Sequence, residues 1–132
     1  MNNNISLVGV HHIAIICSDY ARSKKFYTEV LGLKIIREVF RETRQSFKLD
    51  LALGDHYIIE LFSFPDPPPR PSRPEACGMR HLAFAVADVH NAKQELEFAG
   101  VSVEAVRTDE FTGKQFTFFA DPDALPIELY EV

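Results

Sequence analysis

Two histidines and two glutamates hold matching places in this sequence. His12 heads the apolar run HIAIIC and His81 heads HLAFAV; Glu60 lies in YIIELFSF, 48 residues after His12, and Glu128 lies in PIELYEV, 47 residues after His81. Two imidazole nitrogens with two carboxylate oxygens suit one divalent ion, namely nickel, zinc, iron(II), manganese or cobalt, and ordinarily leave one or two positions for water or substrate. Two glutamates would also cancel the charge of the ion. The expected metal ligands are therefore His12, Glu60, His81 and Glu128. His11 has the opposite parity to His12, while His56 and His90 stand outside the repeat, so none of the three is expected to take part.

The elements that must position these residues occur twice. HHIAIICSDY aligns with RHLAFAVADV, so that Asp19 falls on Asp88, and Gly32 and Gly100 end comparable stretches. A period near 69 residues is too long for a solenoid unit and reads as two copies of one supersecondary module. In the first copy a short strand leads to a helix capped by Ser18 or Asp19, with Ala21, Phe26, Tyr27, Val30 and Leu31 on its inner side and Gly32 as its stop. Strands are expected at about 34–40, 47–53 and 56–64. The second copy has Asp88 as cap, Val89, Ala92, Leu96 and Ala99 as inner side, Gly100 as stop, and strands at about 103–107, 115–120 and 126–131. Each module is thus βαβββ, and the fold class is α+β. A single domain spans 1–132, with module one at about 8–64, a linker at 65–76 and module two at about 77–132. Six of the eight prolines fall in FPDPPPRPSRP, an extended and stiff spacer between the modules.

Alternation along the strands sets the direction of each side chain. His12, Ala14 and Ile16 share one face against Ile13, Ile15 and Cys17, and His81, Ala83 and Ala85 oppose Leu82, Phe84 and Val86. The bulky faces pack under the helices, whereas the histidine faces carry alanines and leave room for a ligand. Glu60 is expected beside Ile58, Phe62 and Phe64, and Glu128 beside Pro126 and Tyr130. The four polar groups then converge on an aromatic-lined cavity that takes a small molecule.

Composition narrows the partners. With 132 residues, 46% of them hydrophobic, the chain can bury a core without staples. A net charge of −5 offers no field for nucleic acid, and no window approaches the roughly 18 apolar residues of a membrane span. MNNNISLVGV has neither the charged start nor the apolar length of a signal peptide, so a cytoplasmic location is expected. Cys17 and Cys77 are expected to be a packed and an idle thiol.

The segments HHIAIICSDYARSKKFYTEVLGL, GMRHLAFAVADV and FFADPDALPIELYE, set in paired modules, resemble the vicinal-oxygen-chelate superfamily of glyoxalase I, fosfomycin-resistance proteins, extradiol dioxygenases and methylmalonyl-CoA epimerase. The resemblance implies mixed sheets forming a cupped half-barrel around one metal, with ligands at His12, Glu60, His81 and Glu128. A four-ligand set of this composition is similar to that of glyoxalase I and unlike the facial triad of the dioxygenases. It implies a lyase or isomerase that stabilises an enediolate, with Glu60 or Glu128 as the catalytic base. Bacterial glyoxalase I proteins commonly have arginine and asparagine where this chain has Ile16 and Phe64, which argues against a glutathione adduct as substrate. Arg41, Arg44 and Lys48 are candidates for holding another anion, or else form a solvated face. Another metalloenzyme of the superfamily (epimerase, thiol transferase or dioxygenase) and a small-molecule-binding resistance protein remain alternatives. Ala124 stands where the family usually has glycine, which would strain the turn if it needs positive φ. Open sheet edges imply a homodimer, with the modules pairing within one chain or exchanging between two.

Overall fold

The computed structural model describes residues 4–132; Met1 to Asn3 lie outside the described residues. Module one runs β1 (Ile13–Cys17), α1 (Tyr20–Lys25), β2 (Lys34–Arg41), β3 (Ser46–Leu53) and β4 (His56–Ser63). Module two runs β5 (Leu82–Val86), α2 (Val89–Phe98), β6 (Arg107–Thr108), β7 (Gln115–Ala120) and β8 (Pro126–Glu131). Each module makes its own mixed four-stranded sheet, in the order β1-β4-β3-β2 and β5-β8-β7-β6. In both, the first strand lies parallel to the last and the remaining pairs are antiparallel. The expected α+β architecture of two βαβββ modules is present, and the two sheets stay open.

Local chemistry explains the boundaries. The Asp19 carboxylate accepts from the Arg22 N–H at 3.2 Å and the Asp88 carboxylate from the Asn91 N–H at 3.1 Å, so each aspartate satisfies an N–H that the helix start leaves free. The first helix widens after Lys25 into a π-turned segment, Phe26–Val30. Ser23, Phe26 and Tyr27 are its buried residues, and Ala21, expected on the inner side, is exposed. Gly32 and Gly100 leave the helical segments with φ of 77° and 89°, which glycine adopts without a Cβ clash. The sixth strand is only Arg107–Thr108; over the expected 103–107 stretch, Glu104 N–H still donates to Phe118 C=O at 3.2 Å.

The core sits between the modules and belongs to both. Ile15, Cys17, Phe26, Tyr27, Leu49, Leu51, Ile59 and Leu61 join Val89, Leu96, Phe119, Leu125, Ile127 and Leu129 in one buried cluster. A polar link crosses it, the Tyr27 hydroxyl donating to Asp121 Oδ2 at 2.7 Å. Asp121 Oδ1 accepts from the Asp123 and Leu125 N–H groups, and Asp123 receives the Ser18 N–H at 3.0 Å. The core therefore covers the bulky faces of β1 and β5. Their alanine faces look outward, with Ala14, Ile16, Ala83 and Ala85 all exposed. No helix is long and apolar enough to cross a membrane among the described residues.

Candidate metal centre

Each module presents one histidine and one glutamate by the same construction. In module one Ala14 lies opposite Glu60 in the parallel β1/β4 ladder, and His12, two residues earlier, shares the face of Ala14. In module two Ala83 lies opposite Glu128, and His81 again precedes it by two. An alanine methyl beside each carboxylate leaves space for the imidazole. His12 Nε2 stands 3.8 Å from Glu60 Oε1, and His81 Nε2 stands 3.3 Å from Glu128 Oε1. All four side chains are partly accessible.

The chemistry of the pairs fits a metal. Two ligands bonded at about 2.0–2.1 Å to one tetrahedral ion stand about 3.4 Å apart, close to both separations. The fit extends to half a site at a time. His12 meets Glu60 and His81 meets Glu128, but among the described residues no three His, Cys, Asp or Glu side chains gather into one cluster. The convergence of all four expected from the sequence does not occur within one chain.

The glutamates have unlike surroundings. Glu60 Oε2 accepts from the Tyr57 hydroxyl at 3.2 Å and lies 3.3 Å from Lys48 Nζ. Both donors are anchored by Asp50, which is 1% exposed and receives Lys48 Nζ at 2.7 Å and the Tyr57 hydroxyl at 2.8 Å. Burial raises the Asp50 carboxyl, but Lys48, Tyr57 and the Arg37 charge outweigh it and hold the group below the ordinary carboxylate range. Hydrogen bonding to Asp50 raises the Lys48 ammonium, and burial followed by Asp50 raises the Tyr57 phenol. Around Glu128 the corresponding ladder position is Phe118, opposite Glu128 on β7 and packed edge-on against His81.

Tyr57 was not among the residues singled out by sequence, because strict alternation puts it with Ile59 and Leu61 on the core face. A β-bulge overturns that parity: Leu51 pairs with Ile59 but Ala52 with Tyr57, leaving Ile58 as the extra residue. Ile58, expected beside Glu60, packs on the core instead. Lys48, a candidate for holding an anion or else part of a solvated face, is committed to Asp50 and Glu60, while Arg41 and Arg44 lie over the rings of Phe62 and Phe64. His11 Nδ1 contacts His12 Nδ1 at 2.8 Å, and His90 meets Gln115 at the surface.

The profile of the Glyoxalase/Bleomycin resistance protein/Dioxygenase superfamily matches residues 9–129, and the chain belongs to that family. It is 61% identical to YwkD of Bacillus subtilis, covering 95% of this chain and 98% of that protein, and 60% identical to YaeR of Escherichia coli, covering 96% and 98%. The crystal structure of SMU.1112c superposes with a TM-score of 0.90 at 50% identity, covering 96% of this chain and all of the other. More distant relatives include a 2-epi-5-epi-valiolone epimerase of Actinomyces at 30% identity, over 92% of this chain and 78% of that protein. Glyoxalase I of Saccharomyces cerevisiae is 28% identical over 91% of this chain and 44% of that protein.

Proposed function

We propose that this protein is a metal-dependent enzyme of the glyoxalase I type, a lyase or isomerase acting on a small molecule with two neighbouring oxygens. The observation that carries this reading is the repeated pair: one imidazole nitrogen and one carboxylate oxygen, at a separation suited to a shared ion, built identically in each module. His12, Glu60, His81 and Glu128 would hold the ion. Bound there, a divalent ion supplies electrostatic stabilisation of negative charge on adjacent substrate oxygens.

The chain's own residues divide the remaining work. Lys48 and Tyr57 fix Glu60 by one oxygen, so that its other oxygen stays turned toward His12. Glu128 faces Phe118 in place of the lysine and phenol that hold Glu60, which suits a base that takes a proton from one carbon and delivers it to the next. The alanine faces of β1 and β5 give the substrate room. The similarity to an epimerase favours a second reading with the same abstraction, in which the proton returns to the same carbon.

A complete site then requires a second copy of the chain, module one of each facing module two of the other. β1 and β5 are sheet edges, their alanine faces are open, and Ile5, Leu7, Val8 and Val10 ahead of β1 are highly exposed. The test is to mix a His12→Ala chain with a His81→Ala chain. Exchange between chains restores one intact site per heterodimer, read as metal uptake and as turnover in a methylglyoxal assay with a panel of thiols. Full metal occupancy in a single chain carrying both His12→Ala and His81→Ala would overturn the ligand assignment, and no recovery on mixing would overturn the shared site.

A further inference from the structure

Beside His81 lies a cavity of about 360 Å³, within the range of small-molecule sites. Arg70, Arg73 and Arg80 line it from the proline-rich linker and its exit, and Arg107 lines it from β6, against the carboxylates of Glu75 and Glu104. The charges do not balance. Arg73 and Arg80 share Glu75 at 3.1 and 3.8 Å, and Arg107 binds Glu104 at 2.7 Å. Arg70 donates to the neutral carbonyls of Met79 and Arg80, at 2.6 and 3.0 Å, so it pins the linker, and among the described residues no carboxylate pairs with it. Four guanidinium groups against two carboxylates leave an excess of two positive charges, in a chain whose net charge is −5.

Further features suit a ligand. The Arg107 guanidinium carbon lies 4.8 Å from the Phe116 ring centroid and 5.4 Å from that of Phe118, so two rings back a fork suited to two anionic oxygens. His81 and Phe118 form part of the same wall, so a molecule whose anionic end lies among the arginines can extend to the proposed metal ligand.

We infer that this cavity is the subsite for the phosphate group of a small phosphorylated substrate. A phosphate monoester dianion matches the excess of two charges and offers several acceptor oxygens to guanidinium donors. The assignment of that substrate to catalysis rests on the proposed function, but its binding does not.

Metal-stripped protein titrated calorimetrically with phosphoglycolate at low salt tests the subsite. Saturable binding is expected, with glycolate, which lacks the phosphate, bound at least about tenfold more weakly. Arg80→Gln and Arg107→Gln should each weaken phosphoglycolate by about tenfold, since each loses a charged hydrogen-bond donor. Both side chains are largely exposed, and unchanged thermal melts would separate lost binding from lost folding. Arg22→Gln, at a different cavity, should bind like the wild type. No saturable binding, equal affinity for glycolate, or wild-type affinity in both arginine variants would overturn the subsite. Arginine-dependent binding by a protein that takes up no metal would uphold the subsite and remove the metal reading alone.

Discussion

The Tyr57 ring stacks on the His12 imidazole, with centroids 4.8 Å apart and planes 14° from parallel. The same side chain therefore supports both members of the first pair, the histidine through its face and Glu60 through its hydroxyl. Tyr57→Phe keeps the stack and loses the hydrogen bonds. It is expected to weaken metal affinity by about tenfold, and Tyr57→Ala by more, as is usual for groups that orient ligands. Competition with a chelator of known affinity measures both; equal affinity in all three proteins would deny Tyr57 this role.

Tyr27 joins the modules through a fully buried hydroxyl. Tyr27→Phe leaves the two N–H donors on Asp121 Oδ1 but removes the one on Oδ2. The expected cost is about 1.5–3 kcal/mol, the range for a hydrogen bond to a charged group. Urea unfolding of the two proteins gives the difference, and a loss below about 0.5 kcal/mol would mean that the bond contributes little.

Ala124 has φ of 67°, so the alanine in DPDALP does occupy the left-handed region. There a Cβ costs about 1–2 kcal/mol, whereas glycine's extra freedom in the unfolded chain costs about 0.4–1 kcal/mol. Strain is the larger effect, and Ala124→Gly is expected to stabilise the protein by roughly 0.5–1 kcal/mol, read as a higher urea midpoint at unchanged slope.

Cys17 is 1% exposed, and burial pushes its thiol up to about 11 from an ordinary 9.0, assisted by the Asp123 and Asp121 charges and opposed by Ser23. A raised pKa favours the neutral thiol in the folded state. Its contribution is complete below pH 9 and is lost as pH rises toward 11, in total about 3 kcal/mol at about 1.4 kcal/mol per unit. Unfolding of wild type and Cys17→Ala across that interval should therefore converge as pH rises. At neutral pH, iodoacetamide should modify exposed Cys77 and spare Cys17.

Much of this arrangement is legible in the sequence because it rests on short-range rules. Asp19 and Asp88 cap as their positions require, and the alternation of Ile15 and Cys17 against Ala14 and Ile16 holds along β1. Where one residue is inserted the rule inverts, and the bulge at Ile58 hid Tyr57. Ala21 stands five residues before Phe26 and so falls off the inner face, whereas α-helical spacing of three and four back from Phe26 and Tyr27 reaches the buried Ser23. The splitting of the four ligand candidates into two pairs was not legible. It depends on which faces of the modules pack together, and Tyr27 and Asp121, 94 residues apart, take part in that choice.

The different settings of Glu60 and Glu128 bear on handedness. A duplicated module begins with two equal walls, and a molecule held between equal walls has no preferred way round. Here one wall has gained Lys48, Asp50 and Tyr57, and the other has Phe118 opposite its glutamate. A prochiral carbon between them shows one face to a carboxylate held by a cation and a phenol, and the other to a carboxylate set against an aromatic ring. In the assembled site proposed above, the stereochemistry of the product is thus set by the positions at which the two repeats have ceased to be copies.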